Sequence, residues 1–223
     1  MLRYYDERAS EYEEAYCLGT GTASIPDPSV FQTDAHKLGE VVERSLEGRV
    51  ADIACGTGFW LPRYASRATT ITLIDQSSNM LEECRKKAIA LGIEDRVSLI
   101  QDDVLEHDFG AQAFDSALVG FLISHLSDTE EDWIFDSLRR LLRPSGRVLI
   151  LDSAWTEKRA LVNRKVGHQQ RTLNDGTPFT VHKRYCDHDD IMHWEERHRM
   201  NVSVEYFGVG LFAVSGRFAS GST

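Results

Sequence analysis

The chain of 223 residues has four cysteines, Cys17, Cys55, Cys84 and Cys186, and none form a C-x-x-C pair. Disulfide frameworks and structural zinc sites need closer pairs, so the sequence predicts free thiols, no metal site and a reducing, cytoplasmic location. The longest near-apolar run, residues 117–123, is far short of the ~20 residues of a membrane span. The opening Met-Leu-Arg-Tyr-Tyr-Asp-Glu carries no apolar core, so no secretory leader is expected. There is no excess of positive charge: 25 Lys and Arg face 35 Asp and Glu, a net of −10. That works against non-specific attraction to nucleic acid. No internal repeat is visible, and low complexity is confined to the polar tail. An apolar share of 42% with 27% charged residues describes a globular chain, long enough for one domain.

What is present is an alternation of strands and helices. An aromatic, acidic opening (residues 5–16) reads as helix and residues 18–29 as a Gly, Thr, Ser and Pro loop. A helix follows over residues 34–46, its apolar stripe being Leu38, Val41, Val42 and Leu46. Five strands are expected at 49–54, 70–75, 97–100, 114–121 and 147–152. Between them lie a short helix with Pro62 in its first turn, a helix capped by Ser77 or Ser78 and closed by Gly92, and a helix opened by Ser127 or Asp128. The second helix should bury Met80, Cys84, Ala88 and Leu91, and the third Ile134, Leu138, Leu141 and Leu142. This rhythm implies right-handed crossovers and a parallel sheet covered on both faces. Beyond it, residues 154–187 read as polar and irregular. Residues 187–200 read as a helix, with Asn201 in the left-handed position at its end. Residues 202–207 and 211–216 read as a closing hairpin.

In such sheets ligands bind beyond the carboxyl ends of the strands, where strand order reverses. The first strand ends in Asp52-Ile53-Ala54-Cys55-Gly56-Thr57-Gly58, whose glycines permit a tight turn and close approach of backbone to ligand. Asp75 ends the second strand, where a carboxylate can accept two hydrogen bonds from a ribose diol. A nicotinamide dinucleotide needs G-x-G-x-x-G, but the third position is Leu61. Asp52 would also be unhelpful beside a pyrophosphate; it suits a ligand with a cationic amino-acid portion.

On these residues the chain resembles the class I S-adenosylmethionine (SAM)-dependent methyltransferases, over about residues 4–216. The family's first motif, hydrophobic-D/E-x-G/A-x-G-x-G, is matched from Val50 to Gly58, with Ala54 where glycine is more frequent. Gln101-Asp102-Asp103-Val104 is similar to the family's Gln-Gly-Asp-Ala, with Asp102 in place of glycine. Phe114-Asp115-Ser116-Ala117-Leu118-Val119, Phe121-Leu122-Ile123-Ser124-His125-Leu126 and Leu142-Arg143-Pro144-Ser145-Gly146 resemble its later segments. The resemblance implies a doubly wound α/β fold: a seven-stranded, mostly parallel, Rossmann-like sheet whose last strand is antiparallel in a C-terminal hairpin. It implies SAM as cofactor and S-adenosylhomocysteine (SAH) as product. It places Ala54, Cys55, Gly56 and Gly58 against the methionine part, Asp75 on the ribose, and Gln76 and Met80 beside ribose and adenine. Asp103 would meet the adenine amino group and the Val104 backbone a ring nitrogen. Asp52, Asp102, Gly120, Phe121 and Tyr12 complete the expected cofactor set, with Tyr4, Tyr5 and Tyr12 in an aromatic lid. The expected organisation is one domain, residues 1–223, with a lid at 1–33 and a substrate cap at 153–186.

His125 is the candidate general base, since an imidazole with an ordinary pKa near 6.5 suits proton abstraction at neutral pH. A structural histidine beneath the site is the alternative. His188, His193 and His198 are five apart, so each is rotated about 140° from the last on a helix and they share no face. Residues 153–186 hold seven Lys and Arg against two acids, a charge of +5 that leaves −15 on the remainder. Arg171, Lys183 and Arg184 are therefore candidates to hold an anionic substrate group, with Trp155, Phe179, Tyr185 and Trp194 as candidate apolar walls, core packing being the alternative for each. The expected partner is a small-molecule acceptor, methylated on O or N, with no membrane and no nucleic acid; the oligomeric state is open. A protein or tRNA methyltransferase, a non-catalytic cofactor-binding subunit and a nicotinamide-dependent oxidoreductase are the competing readings.

Overall fold

Val50, Ala51 and Ile53 are all fully buried although successive side chains point to opposite faces. Their strand, β1 (Gly48–Ile53), is therefore covered on both sides. The computed structural model describes residues 2–14 and 28–219; Cys17 and most of the expected loop at 18–29 lie outside them. The other strands are β2 (Ala68–Asp75), β3 (Val97–Gln101), β4 (Phe114–Gly120), β5 (Leu142–Ser153), β6 (Val166–Thr172), β7 (Pro178–Arg184), β8 (Met200–Phe207) and β9 (Leu211–Phe218). The main helices are α1 (Leu2–Arg8), α2 (Pro28–Ser45), α3 (Leu61–Tyr64), α4 (Ser78–Leu91), α5 (Asp128–Leu141), α6 (Glu157–Ala160) and α7 (His188–His198).

Seven strands form one sheet in the order β3-β2-β1-β4-β5-β9-β8. β1 to β5 pair in parallel, and β9 runs antiparallel between β5 and β8. Strand alternation divides the core. Val50, Leu118, Leu149 and Leu151 face α2, α3 and α4, where they meet Leu38, Val42 and Leu61. Ala51, Ile53, Val119 and Ile150 face α5 and α7, where they meet Ile134, Phe135, Leu138 and Trp194. Each such Leu or Ile contributes about 1.5–3 kcal/mol by leaving water.

The ends of the helices follow local chemistry. Ser77 caps α4 by accepting from the Met80 N–H, and Gly92 closes it at φ 64°. Ser127 and Glu130 complete a reciprocal capping box on α5. Three expectations are corrected. Leu91 is exposed, and Leu81 takes its place on the buried face of α4. Arg199, not Asn201, takes the left-handed position after α7 at φ 48°, because Asn201 already pairs within β8.

The third correction concerns residues 154–187, which are not irregular. They hold α6 and the antiparallel ribbon β6–β7, a sheet of its own. The ribbon lacks a clean apolar alternation because its inward face carries Arg171 and Lys183, with Val181 between them, toward a polar cavity. Tyr4 and Tyr5 of α1 pack on Leu173, Phe179 and Val181 of this ribbon. The N-terminal segment is also tied to the sheet domain. Asp6 accepts from Ser77 Oγ and Asn79 Nδ2, and Glu13 meets Thr57 Oγ1 and Lys87 Nζ. At the ribbon turn, Glu11 accepts from the Asn174 N–H.

Candidate functional site

Strand order reverses at β1, between β2 and β4, and a cleft opens there at the carboxyl ends of the strands. Tyr5, Tyr12, Ala54, Gly56, Asp75, Gln76, Met80, Gly120, Phe121, Leu122 and His125 wall it. An adjoining recess is walled by Asp52, Cys55, Phe59 and Trp60 as well as Tyr12, Ala54, Gly120 and Phe121. Ten of the fourteen expected cofactor residues thus meet at one place, and Gly58 stands just behind. At Gly58 (φ 68°) an added Cβ would lie 3.0 Å from Cys84 Sγ. Ala54 and Phe121 are two non-glycine residues with positive φ, 53° and 58°. That conformation costs about 1–2 kcal/mol for an L-residue, and both residues wall the cleft.

The loop geometry is held by Asp75. Its Oδ2 accepts from the Gly56 N–H and its Oδ1 from the Ser77 N–H, each at 2.9 Å. Each oxygen keeps a lone pair for a ligand. Burial raises the Asp75 pKa, against the pull of these two amides. Asp52 is 3% exposed and accepts from the Tyr64 hydroxyl at 2.8 Å. Burial pushes its carboxyl up to about 7 despite that bond. A buried carboxylate with spare acceptor capacity fits an ammonium group.

The loop after β3 abuts β2 through the Asp102 N–H, which donates to the Asp75 carbonyl. Asp102, Asp103 and Val104 are not among the described residues that wall the cleft. The Asp102 carboxylate is bound to His107 Nδ1 at 2.8 Å, and Asp103 accepts from the Leu105 N–H. The Val104 side chain is buried in the core.

A second cavity joins the first and shares Tyr5, Tyr12, Phe121 and His125 with it. Its walls bring Arg8, Arg159, Arg171 and Lys183 together, and no Asp or Glu is among the described residues that line it. Lys183 is buried; its Nζ donates to Ser124 Oγ and lies 3.6 Å from Asp152. Arg184, one residue on, points to the opposite face of the ribbon. There it pairs with Asp128 and the buried Glu131, so it is not in the cavity as expected. Trp155 also lies outside; it stacks at 6.1 Å on Tyr185, whose ring does line the cavity. Arg8 and Arg159 were not singled out by sequence; Tyr185, expected as an apolar wall, does line the cavity, whereas Phe179 packs on Tyr4 and Trp194 on Phe135. Arg159 lies within the basic stretch, but a single turn of helix gave no periodicity to show which way it faces.

His125 stands where the two cavities meet. Its Nδ1 lies 2.7 Å from the His182 carbonyl oxygen, which can only accept, so Nδ1 carries the proton. Nε2 lies 2.7 Å from the Tyr5 hydroxyl. Burial, then the charges of Lys183 and Arg171, hold its pKa well below the ordinary value, so the ring is neutral and Nε2 accepts from Tyr5. Elsewhere, His198 stacks on Phe135 at 3.8 Å and His188 on Phe207 at 4.1 Å. Among the described residues no group of three or more His, Cys, Asp or Glu could hold a metal ion.

Residues 50–146 match the methyltransferase domain family. Phosphatidylethanolamine N-methyltransferase of Cereibacter sphaeroides is 31% identical over 142 residues, covering 63% of this chain and 68% of that protein. Demethylmenaquinone methyltransferase of Staphylococcus aureus is 29% identical over 109 residues, 48% of this chain and 43% of that protein. In fold, the DhpI–SAM–HEP complex matches with a TM-score of 0.78 at 23% identity, covering 97% of this chain and 95% of that one. The chain is therefore a member of the class I SAM-dependent methyltransferases. It is an enzyme of that class, with SAM as its cofactor. Among the described residues no helix is long and apolar enough to cross a membrane.

Proposed function

We propose that this methyltransferase alkylates O or N of a small anionic molecule, with oxygen favoured. The observation that carries this reading is the cationic cavity joined to the cleft at Tyr5, Tyr12, Phe121 and His125. Four cations, with no Asp or Glu among the described residues of the lining, repel an ammonium-bearing acceptor and attract an oxyanion. The two cavities also suit the two halves of a methyl transfer.

When bound, SAM supplies an electrophilic methyl group on a sulfonium that leaves readily. The protein's work is then alignment and exclusion of water. In this reading Asp75 holds the ribose hydroxyls, Asp52 faces the ammonium, and the Ala54–Gly58 loop shapes the methionine end. Gln76, Met80, Gly120, Phe121 and Tyr12 enclose the remainder. Asp102, Asp103 and Val104 act at the cleft edge through the loop beside β2. Arg171 and Lys183 hold the acceptor's charge. His125 Nε2 is the atom placed to take a proton if the acceptor attacks as an alcohol; an oxyanion needs no base, and His125 then orients Tyr5. In the same reading the expected lid at 1–33, of which residues 2–14 and 28–33 are described, and the cap at 153–186 belong to a single domain. A cytoplasmic site of action accords with the unlinked thiols of Cys55 and Cys84, whose sulfurs lie 3.7 Å apart.

The test is a screen of small acceptors with radiolabelled SAM, matched in size and differing in charge. Carboxylates or phosphoryl compounds should outperform neutral isosteres by at least tenfold in kcat/KM. Preference for neutral or cationic acceptors would remove the reading. Phosphatidylethanolamine and demethylmenaquinone, the substrates named for the relatives, belong in the same screen as a neutral quinone and an amine-bearing lipid.

A further inference from the structure

Four buried or half-buried cations converge on one cavity from four elements: Arg8 from α1, Arg159 from α6, Arg171 from β6 and Lys183 from β7. Among the described residues two carboxylates stand behind its wall. Asp152 lies 3.6 Å from Lys183. Asp34 is occupied by the Tyr206 hydroxyl and the Gly210 and Leu211 N–H groups. With Lys183 beside Asp152, the two buried guanidiniums of Arg8 and Arg159 are left, among the described residues, with no carboxylate in ion-pair reach, and two charges remain for a ligand.

Arg159 makes the imbalance concrete. It is 3% exposed. One Nη2 proton goes to the Gly210 carbonyl at 2.6 Å, and the guanidinium lies 4.3 Å from the Tyr185 ring centre. Its Nε is buried and meets no acceptor. Arg8 is 6% exposed, donates to the Tyr4 hydroxyl, and lies over the rings of Tyr4 and Tyr12. Among the described residues neither arginine comes within ion-pair distance of a carboxylate. Burying a guanidinium in this way costs several kcal/mol unless an anion compensates it. Burial also holds Arg159 and Lys183 below their ordinary pKa values.

We infer that Arg8 and Arg159 complete, with Arg171 and Lys183, a binding site for a group carrying two negative charges, and that this group ties the lid to the cap. The inference rests on the proposed function and narrows its acceptor from an anion to a dianion, phosphoryl-type or paired carboxylates. It makes Arg8 and Arg159 specificity-determining residues. Because Arg8 rides on α1, the bound dianion bridges the N-terminal segment to β6–β7, and neither element would approach the other as easily while the charges face each other alone.

The experiment is calorimetric titration of the SAH-loaded protein at pH 8 with inorganic phosphate, malonate and acetate, with chloride holding ionic strength constant. Phosphate or malonate should bind at least tenfold more tightly than acetate, and which of the two is tighter assigns the dianion to the phosphoryl or the dicarboxylate class. Arg8→Gln and Arg159→Gln should each weaken that binding at least tenfold, while Lys158→Gln, an exposed change of the same charge beside Arg159, should leave it unaltered. Circular dichroism melts establish which variants are folded, and if Arg159→Gln is not, Arg8→Gln decides alone. Limited proteolysis of the N-terminal segment should slow with the dianion in the parent protein and not in Arg8→Gln. Acetate binding as tightly as the dianions, or unchanged dianion affinity in a folded Arg8→Gln variant, overturns the inference. Dianion binding without methylation of any anionic acceptor would instead remove the proposed function and leave the site standing.

Discussion

The Tyr5 hydroxyl donates to Nε2 of His125 across 2.7 Å, joining the first helix of the chain to the stretch that follows β4. The bond closes the wall between the two cavities and fixes the histidine's free lone pair toward the lid. Tyr5→Phe deletes the donor and leaves a buried acceptor unpaired, at about 1–3 kcal/mol. Urea unfolding should register that loss. A drop in kcat beyond the stability change would show that the hydroxyl also positions the acceptor.

The same histidine gives stability a pH dependence. Its folded pKa lies well below 6.5, so between those values the unfolded chain binds more protons than the folded one. The neutral ring's contribution is intact above pH ~6.5 and is lost as pH falls toward the folded value. His125→Asn, which retains a donor for the His182 carbonyl, should flatten the slope of unfolding free energy between pH 6.5 and ~5. An unchanged slope would assign it to other groups.

Asp52 behaves in the opposite sense. Its folded carboxyl is raised to about 7. The folded chain without ligand therefore holds a proton that the unfolded chain has released, and stability from this group falls as pH rises from ~3.8 to about 7. An ammonium brought beside it expels that proton. SAH affinity should then climb by up to about tenfold per pH unit below 7 and level off above. Asp52→Asn should weaken SAH binding and abolish the climb, as read by calorimetry between pH 5.5 and 8.5.

Asp75→Ala removes the acceptor for the Gly56 and Ser77 N–H groups. Losing charge-assisted bonds of this kind costs about 1.5–3 kcal/mol each, and the loop loses its shape as well. SAH affinity should fall at least a hundredfold. Affinity equal to the parent's would show that the cofactor lies elsewhere.

Lys183 and Arg184 are neighbours whose replacement should separate substrate binding from stability. Lys183→Met should raise the acceptor KM with little change in SAH affinity. Arg184→Met strands the buried Glu131 without one of its partners, a loss of about 3 kcal/mol for a broken buried pair. That lowers Tm by roughly 6–12 °C in a chain of this size and should leave KM alone.

These neighbours also mark the limit of what sequence discloses. The five parallel strands were legible because burial on both faces demands continuous apolar runs such as those around Ile53 and Val119. The glycine loop was legible because few residues tolerate the φ of 55° at Gly56. The cationic stretch was legible as composition. Its register was not, since β6 and β7 carry polar side chains on both faces, and only the pairing of His168 with His182 and Arg171 with Phe179 shows which cations face inward. Arg8 was hidden for another reason: its cavity exists only once the N-terminal helix has folded over a ribbon more than 150 residues away.

The β6–β7 ribbon satisfies its ladder within itself, and a single-residue bridge, Ala154 to Cys186, marks where it leaves the main sheet. Apart from the His182 carbonyl that holds His125, its backbone therefore makes few demands on the catalytic framework. Acceptor choice in this architecture can drift, or be engineered, by grafting a hairpin and its complementary first helix as a matched pair, while the cofactor half is inherited intact.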